Sequence, residues 1–300
     1  MINDVHCHFF STGFFGALAT QRGGGDTPAS LCTELGWDDP GTPEALADRW
    51  IEELDRHEVG RAALIASVPG DEGSVAAAVA RHPARLVGFF INDPSADGAA
   101  DRVDGTLSLP GMRAICLFPA MHGYTLQSDA VRAVVDVVAS HRGAAVFVQC
   151  GALSVGVRNK LGLPTPFNPQ LGDPAALTGL AGTYPSVPFI VPHFGAGRLR
   201  EALTLSETCP NVYLDTSSSN GWIAETPDLT LESVFLSALA AAGASRLLFG
   251  TDSSFFPRGW QRPIYERQME ALASIGATPD DVARIRGGNF DRLFPVAGGV

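Results

Sequence analysis

The sequence predicts a (β/α)8 barrel of the TIM type, on two observations. Eight short apolar runs recur along 300 residues, each followed by a helical or loop segment. Several, such as 144–148, are apolar without interruption, as in strands buried on both faces of a parallel sheet. Eight such units close into one barrel more economically than into any other parallel arrangement. A doubly wound open sheet is the competing architecture, but the Gly-x-Gly-x-x-Gly turn that usually marks nucleotide binding in it is missing.

The first strand carries Asp4-Val5-His6-Cys7-His8. Side chains alternate along a strand, so His6 and His8 share one face and Cys7 takes the other. Residues 9–41 contain Gly23-Gly24-Gly25 and show no period, which predicts a long loop. Thr42 then caps a helix with Pro43 in its first turn, and Leu46, Trp50, Ile51 and Leu54 recur at helical spacing before Gly60. Strands follow at 62–68, 86–91, 112–118 and 144–149, separated by helices at 74–81, near 97–107 and, capped by Ser128, at 131–140. A second long loop, 151–172, carries Pro164, Pro166 and Pro169. Asp173-Pro174 opens a helix to Tyr184, and a strand at 189–192 runs into His193. Helices at 199–208 and 231–242 alternate with strands at 212–215 and 246–252. A helix at 265–275 and short helical pieces at 280–285 and 289–293 end the chain, which reads as one domain over 1–300.

Composition narrows the partners. With 21 basic and 32 acidic residues the net charge is −11, and Lys160 is the only lysine. Such a surface argues against a nucleic-acid partner or an anionic membrane, and it says nothing about a small-molecule substrate, since one buried Arg can bind an anion in an acidic protein. Five scattered cysteines without C-x-x-C spacing suit reduced thiols, and no apolar run is long enough to span a bilayer. A cytoplasmic protein is the expectation. If the chain assembles, a homodimer is the commonest form.

In this fold the chemistry lies at the C-terminal ends of the strands. Strand 1 ends in His6 and His8, strand 5 in Gln149-Cys150, strand 6 in His193, strand 7 in Asp215 and strand 8 in Asp252. Three of only seven histidines therefore fall at strand ends. Each has a plainer reading: His193 as a buried histidine bonded to a carbonyl, Asp252 and Asp215 as caps of the segments that follow. As a set, three imidazoles and a carboxylate supply nitrogen and oxygen donors suited to Zn²⁺ and related first-row ions. His57, His82 and His141 fall near helix C-termini, where an imidazolium meets the negative end of the dipole, and read as structural. His122, after strand 4, is on the correct face for substrate binding.

Taken together, Asp4-Val5-His6-Cys7-His8, the run from Gly111-Met112-Arg113 to Pro119 with His122-Gly123-Tyr124, Pro192-His193-Phe194-Gly195, and Phe249-Gly250-Thr251-Asp252 resemble the amidohydrolase superfamily. Gly287-Gly288-Asn289-Phe290 resembles its C-terminal Gly-Asn signature. The chain is most similar to the amidohydrolase-related branch that includes aminocarboxymuconate-semialdehyde decarboxylase and resorcylate-type decarboxylases. That resemblance implies a mononuclear site: His6 and His8 bind one divalent ion, zinc or else manganese, Asp252 ligates it and handles the proton of a bound water, and His193 lies beside that water. Such an ion lowers the pKa of bound water to about 7 while a carboxylate and an imidazole move protons.

Two departures from the family pattern matter. Gln149 stands where strand 5 usually offers a metal-binding histidine, and a neutral carbonyl oxygen is a much poorer zinc ligand than imidazole. Strand 4 ends in Cys116-Leu117-Phe118-Pro119, with no lysine to bridge two metals. Arg258 and Arg262, after strand 8, are candidates to pair with a substrate carboxylate. The leading expectation is a metal-dependent hydrolase cleaving a C–N or C–O bond of a small carbonyl compound. A non-oxidative decarboxylase of an aromatic or unsaturated acid is the alternative. A metal-free enzyme or a non-catalytic binding protein is the third reading, and Gln149 is the residue that sustains it.

Overall fold

In the computed structural model, which describes residues 1–152, 155–217 and 219–296, eight parallel strands pair in sequence order. They are β1 (Ile2–Phe9), β2 (Val59–Ala66), β3 (Leu86–Ile91), β4 (Met112–Leu117), β5 (Ala145–Val148), β6 (Phe189–Val191), β7 (Val212–Asp215) and β8 (Leu247–Leu248). Residues after β8 close the ring against β1: Val5 N–H donates to the Phe249 carbonyl at 2.9 Å, Asp252 N–H to His6 at 3.0 Å and His8 N–H to Ser253 at 2.7 Å. The open doubly wound alternative is thereby excluded. Strand 8, expected over 246–252, makes regular ladder bonds at Leu247–Leu248 alone, because its remaining residues bend away to form this seam.

The strands sort the core into two shells, by alternation except in β1, where a register shift between Asp4 and Cys7 puts Val5 and Cys7 on opposite faces. Val5, Ile65, Phe89, Ala145 and Phe147 face inward, joined from below by Phe290 and Phe294, while Cys7, Leu64, Phe90, Val146 and Val148 face the helices. The helix Pro43–Arg56 shows how local sequence builds the outer shell. The Thr42 hydroxyl accepts from Ala45 N–H, and Leu46, Trp50 and Leu54 at four-residue intervals go into the core. His57, His82 and His141 are the residues at the C-terminal caps of three of these helices. Among the described residues, no helix is long and apolar enough to cross a membrane.

The first long loop is a correction. Within 9–41 lie two helices, Thr12–Arg22 and Pro28–Leu35, capped by Ser11 and by a Thr27–Ser30 capping box. They escaped the periodic reading because their apolar surface is fixed by tertiary partners: Phe14, Phe15, Leu18, Leu31 and Cys32 share a separate core with Val157, Leu161 and Leu163 from the segment after β5. The glycines at 23–25 join the two helices with positive φ at each residue. Residues 153 and 154 of the second loop lie outside the described residues; the rest holds the short helix Gly156–Lys160. The helix expected from Pro174 to Tyr184 divides into a 3₁₀ turn, Pro174–Leu177, and a helix, Thr178–Thr183.

The C-terminal Gly-Asn segment has a structural task at the floor. Asn289 donates both amide hydrogens, at 2.7 Å each, to the carbonyls of Ala244 and Leu247 where β8 begins. Asn289→Ala removes the side-chain donor from the Leu247 carbonyl, at a cost of about 1–3 kcal/mol, while the Ala244 carbonyl keeps the Leu247 N–H. The expected result in chemical denaturation is a lower midpoint with an unchanged slope, and metal uptake equal to wild type, since the floor is at the opposite end from the histidines.

Candidate active site

His6 and His8 leave β1 toward the barrel mouth as alternation predicts. Their Nε2 atoms are 3.3 Å apart, and Asp252 Oδ1 lies 3.6 Å from His6 Nε2 and 3.1 Å from His8 Nε2. Potential ligand atoms of these three residues all fall within 4.8 Å of one another. Asp252 achieves this from a left-handed backbone conformation, φ 59°, which is costly for a residue with a Cβ and is imposed by the seam.

The hydrogen-bond partners of the rings decide what these atoms can do. His8 Nδ1 is 2.8 Å from Ser67 Oγ, whose own proton goes to the Ile65 carbonyl at 3.0 Å, so His8 donates there. His6 Nδ1 faces the Asp215 carboxylate at 2.7 Å. Both protons are committed away from the mouth, leaving two Nε2 lone pairs and a carboxylate oxygen converging on one point. Lone pairs so placed repel one another unless a cation lies among them, and two imidazoles with a carboxylate are a donor set that suits zinc. The residues present therefore fit a divalent ion.

His193 enters from the turn after β6, where it and Phe194 both have positive φ. Its ring stacks on His6 with centroids 5.1 Å apart, and its Nδ1 meets the Ser217 carbonyl at 2.9 Å. The end of β5 braces this turn: a Cβ on Gly151 would lie 2.0 Å from the Gly195 carbonyl oxygen. Gln149 is buried just past the end of β5, two residues after Phe147, whose ring meets His6 edge-on at 5.1 Å. Its amide nitrogen is spent on the Cys150 carbonyl at 3.2 Å.

Electrostatics divide the cluster. Burial pushes the Asp252 carboxyl up, but the imidazoles around it, His8 foremost and then His6 and His193, outweigh this and hold it well below the usual carboxylate range. Burial pulls His8 and His193 down toward the neutral form, and in His193 the neighbouring His6 adds to the effect. Burial acts the same way on His6, where Asp215 more than offsets it and raises the pKa. The site is thus a carboxylate held ionised among imidazoles, two of which are held neutral.

On the substrate side, Arg258 lies over the Phe255 ring at 4.5 Å and donates to Ser254 Oγ at 2.7 Å and to the Asp252 carbonyl at 3.3 Å. Phe255 stacks on Trp37 at 3.8 Å, so the cation sits on an aromatic wall. The structure does not bring Arg262 to this cluster. It pairs with Glu266 at 2.9 Å, and its other acidic neighbour is Glu58, which precedes β2, so it faces away from the strand C-termini. His122 ends the short helix Pro119–His122, half-buried, with Nδ1 lacking a partner among the described residues. Ser67, Ser217 and Gly250 were missed in the sequence. Serines carry no spacing signal, and Gly250 is marked only by what surrounds it.

These features define a class: a (β/α)8 barrel with a His-x-His and aspartate cluster at the C-terminal mouth. The chain belongs to the amidohydrolase family, whose model matches residues 4–296. Protein fluG of Emericella nidulans is 35% identical over 85 residues, 28% of this chain and 10% of that protein, so the chain spans about a tenth of that curated relative. Solved structures with the same fold include 5-carboxyvanillate decarboxylase from Novosphingobium aromaticivorans, complexed with manganese and 4-hydroxy-3-methoxy-5-nitrobenzoic acid (13% identity, 98% and 96% of the two chains, TM-score 0.66). A probable 2-pyrone-4,6-dicarboxylic acid hydrolase from Acinetobacter baumannii, with citric acid bound, matches at 16% identity, 98% of both chains and TM-score 0.61. An amidohydrolase from Burkholderia multivorans with bound zinc matches at 16% identity, 99% of both chains and TM-score 0.59.

Gly250 offers a direct test of the geometry. A Cβ there would fall 2.6 Å from Asp215 Oδ1, 3.0 Å from Ser217 Cβ and 3.1 Å from His6 Cβ. Gly250→Ala is expected to keep the barrel's circular dichroism and to lower zinc affinity by roughly 10–100-fold, the usual effect of disturbing a ligand's supporting partner. Competition against a chromophoric chelator measures it; wild-type affinity would mean that His6 and Asp215 tolerate the displacement.

Proposed function

We propose that this chain is a metal-dependent hydrolase of a small carbonyl compound, with His6, His8 and Asp252 holding one divalent ion, zinc in preference to manganese. The observation that carries the reading is the convergence of two Nε2 lone pairs and Asp252 Oδ1, with both Nδ1 protons committed elsewhere. When bound, the ion would supply an acidified water and a Lewis acid for the substrate oxygen. Three protein ligands suffice for a catalytic site of this kind, so Gln149 need not contribute.

The chain's own residues account for the proton traffic. Asp252, ionised among imidazoles, accepts a proton at the mouth and returns it to the leaving group. His193, drawn toward its neutral form by burial, presents a bare Nε2 that can accept a proton released beside it. Arg258 offers a guanidinium to an anionic substrate group, backed by Phe255 and Trp37. That wall also supports a second reading, non-oxidative decarboxylation of an aromatic or unsaturated acid, because a ring-borne carboxylate would meet a cation and an aromatic face together.

Elemental analysis of the purified protein is expected to find about one zinc or manganese per chain, and His6→Ala with His8→Ala to abolish it while the barrel stays folded. A wild-type protein that stays metal-free after incubation with zinc overturns the assignment. Gln149→His is expected to tighten zinc binding by roughly tenfold or more, since it replaces a neutral amide with an imidazole; unchanged affinity would show that the β5 position does not reach the ion. Activity separates the two reactions. Ester, amide and lactone panels report hydrolysis, and CO₂ release from aromatic and muconate-type acids reports decarboxylation.

A further inference from the structure

The turn that leaves β7, Asp215-Thr216-Ser217, touches both halves of the cluster and contains none of the proposed ligands. All three residues are fully buried. Asp215 Oδ1 accepts from Ser217 N–H at 2.6 Å, and Asp215 Oδ2 from the Ser217 hydroxyl at 2.9 Å and from His6 Nδ1 at 2.7 Å. The same hydroxyl oxygen is 2.9 Å from His6 Nδ1 and 3.0 Å from His193 Nδ1, and the Ser217 carbonyl is 2.9 Å from His193 Nδ1. Thr216 points the other way, where Gln268 accepts its hydroxyl at 2.7 Å and donates to its carbonyl at 3.0 Å. The turn is thus anchored from behind by the helix Arg262–Ser274.

Proton accounting leaves one assignment. A serine hydroxyl has a single hydrogen, and the carboxylate, which can only accept, takes it. Both Nδ1 atoms facing that oxygen must then be donors. The carboxylate repeats the demand on His6 and the Ser217 carbonyl repeats it on His193, since an Nδ1 lone pair at either place would face another lone pair within 3 Å. We propose that Asp215 and Ser217 are positioning residues that fix His6 and His193 together, in the tautomers that turn both Nε2 atoms toward the mouth. Ser217 joins the two: its N–H and hydroxyl orient Asp215, and its carbonyl orients His193.

The consequence for zinc rests on reading His6 as a ligand, whereas the tautomers do not. Long-range proton–nitrogen NMR of histidine-labelled wild-type protein, assigned with single histidine substitutions, is expected to show His6 and His193 both protonated at Nδ1 and bare at Nε2. Either ring found protonated at Nε2 overturns the proposal. Asp215→Asn is expected to convert His6 to a mixture of tautomers and to weaken zinc binding by roughly 10–100-fold, with a smaller loss, within about tenfold, for Ser217→Ala. A purely structural role would lower the melting temperature and leave the tautomers as in wild type, and that result also overturns the proposal. Where a variant fails to fold, the wild-type spectrum decides. A wild-type protein that takes up no zinc but shows both Nδ1 protons refutes the metal reading and leaves this one standing.

Discussion

The site depends on one buried carboxylate that takes no part in it. Asp4 receives four hydrogen bonds at the seam, from His6 N–H, Thr251 N–H, the Thr251 hydroxyl and the Trp260 indole, at 2.6 to 3.2 Å. Burial pushes its carboxyl up to about 6, against the pull of those bonds. Hydrogen bonds to a charged group are worth about 1.5–3 kcal/mol each, and three of these, from Thr251 and Trp260, join the first strand to the residues after the last. Because Asp4 and Thr251 lie two and one positions from His6 and Asp252, closing the barrel and assembling the cluster are one event.

The surroundings of the cluster give its three imidazoles different characters. His6 is held between an anion and the Phe147 ring, His8 is braced by a serine whose proton is spent on the backbone, and His193 hangs from a carbonyl in a turn with left-handed residues. Identical side chains thereby acquire different proton affinities. The separate roles proposed for these rings follow from what lies behind each.

Much of this was legible in the sequence. Uninterrupted apolar runs revealed the parallel barrel, alternation put His6 and His8 on one face, and the end of the last apolar run pointed to Asp252, because those signals are local. Caps and helical spacing located the helix after Thr42 for the same reason. The helices within 9–41 were hidden because their partners come from residues 157–163. Arg262 followed strand 8 as closely as Arg258 did, yet Pro263 starts a helix there whose first turn pairs it with Glu266. Ser217 and Gly250 were invisible because a hydroxyl's single proton and the space for a missing Cβ are properties of neighbours remote in sequence. Asp215 had been read as a cap, and it does accept from Ser217 N–H; the same carboxylate also serves His6.

The small core shared by the segments after β1 and β5 bears on how this barrel can change. Phe14, Phe15 and Leu18 interlock with Val157 and Leu161, and Arg158 reaches across to Gln21 at 2.6 Å, so the two segments are a single packed body above the mouth. Loops of this fold are usually treated as interchangeable parts, each free to vary over a constant frame. In this barrel an insertion or swap in one of the two would expose apolar surface on the other. New specificity would have to arise by matched change in both segments, or at the separate wall carried by Phe255 and Arg258.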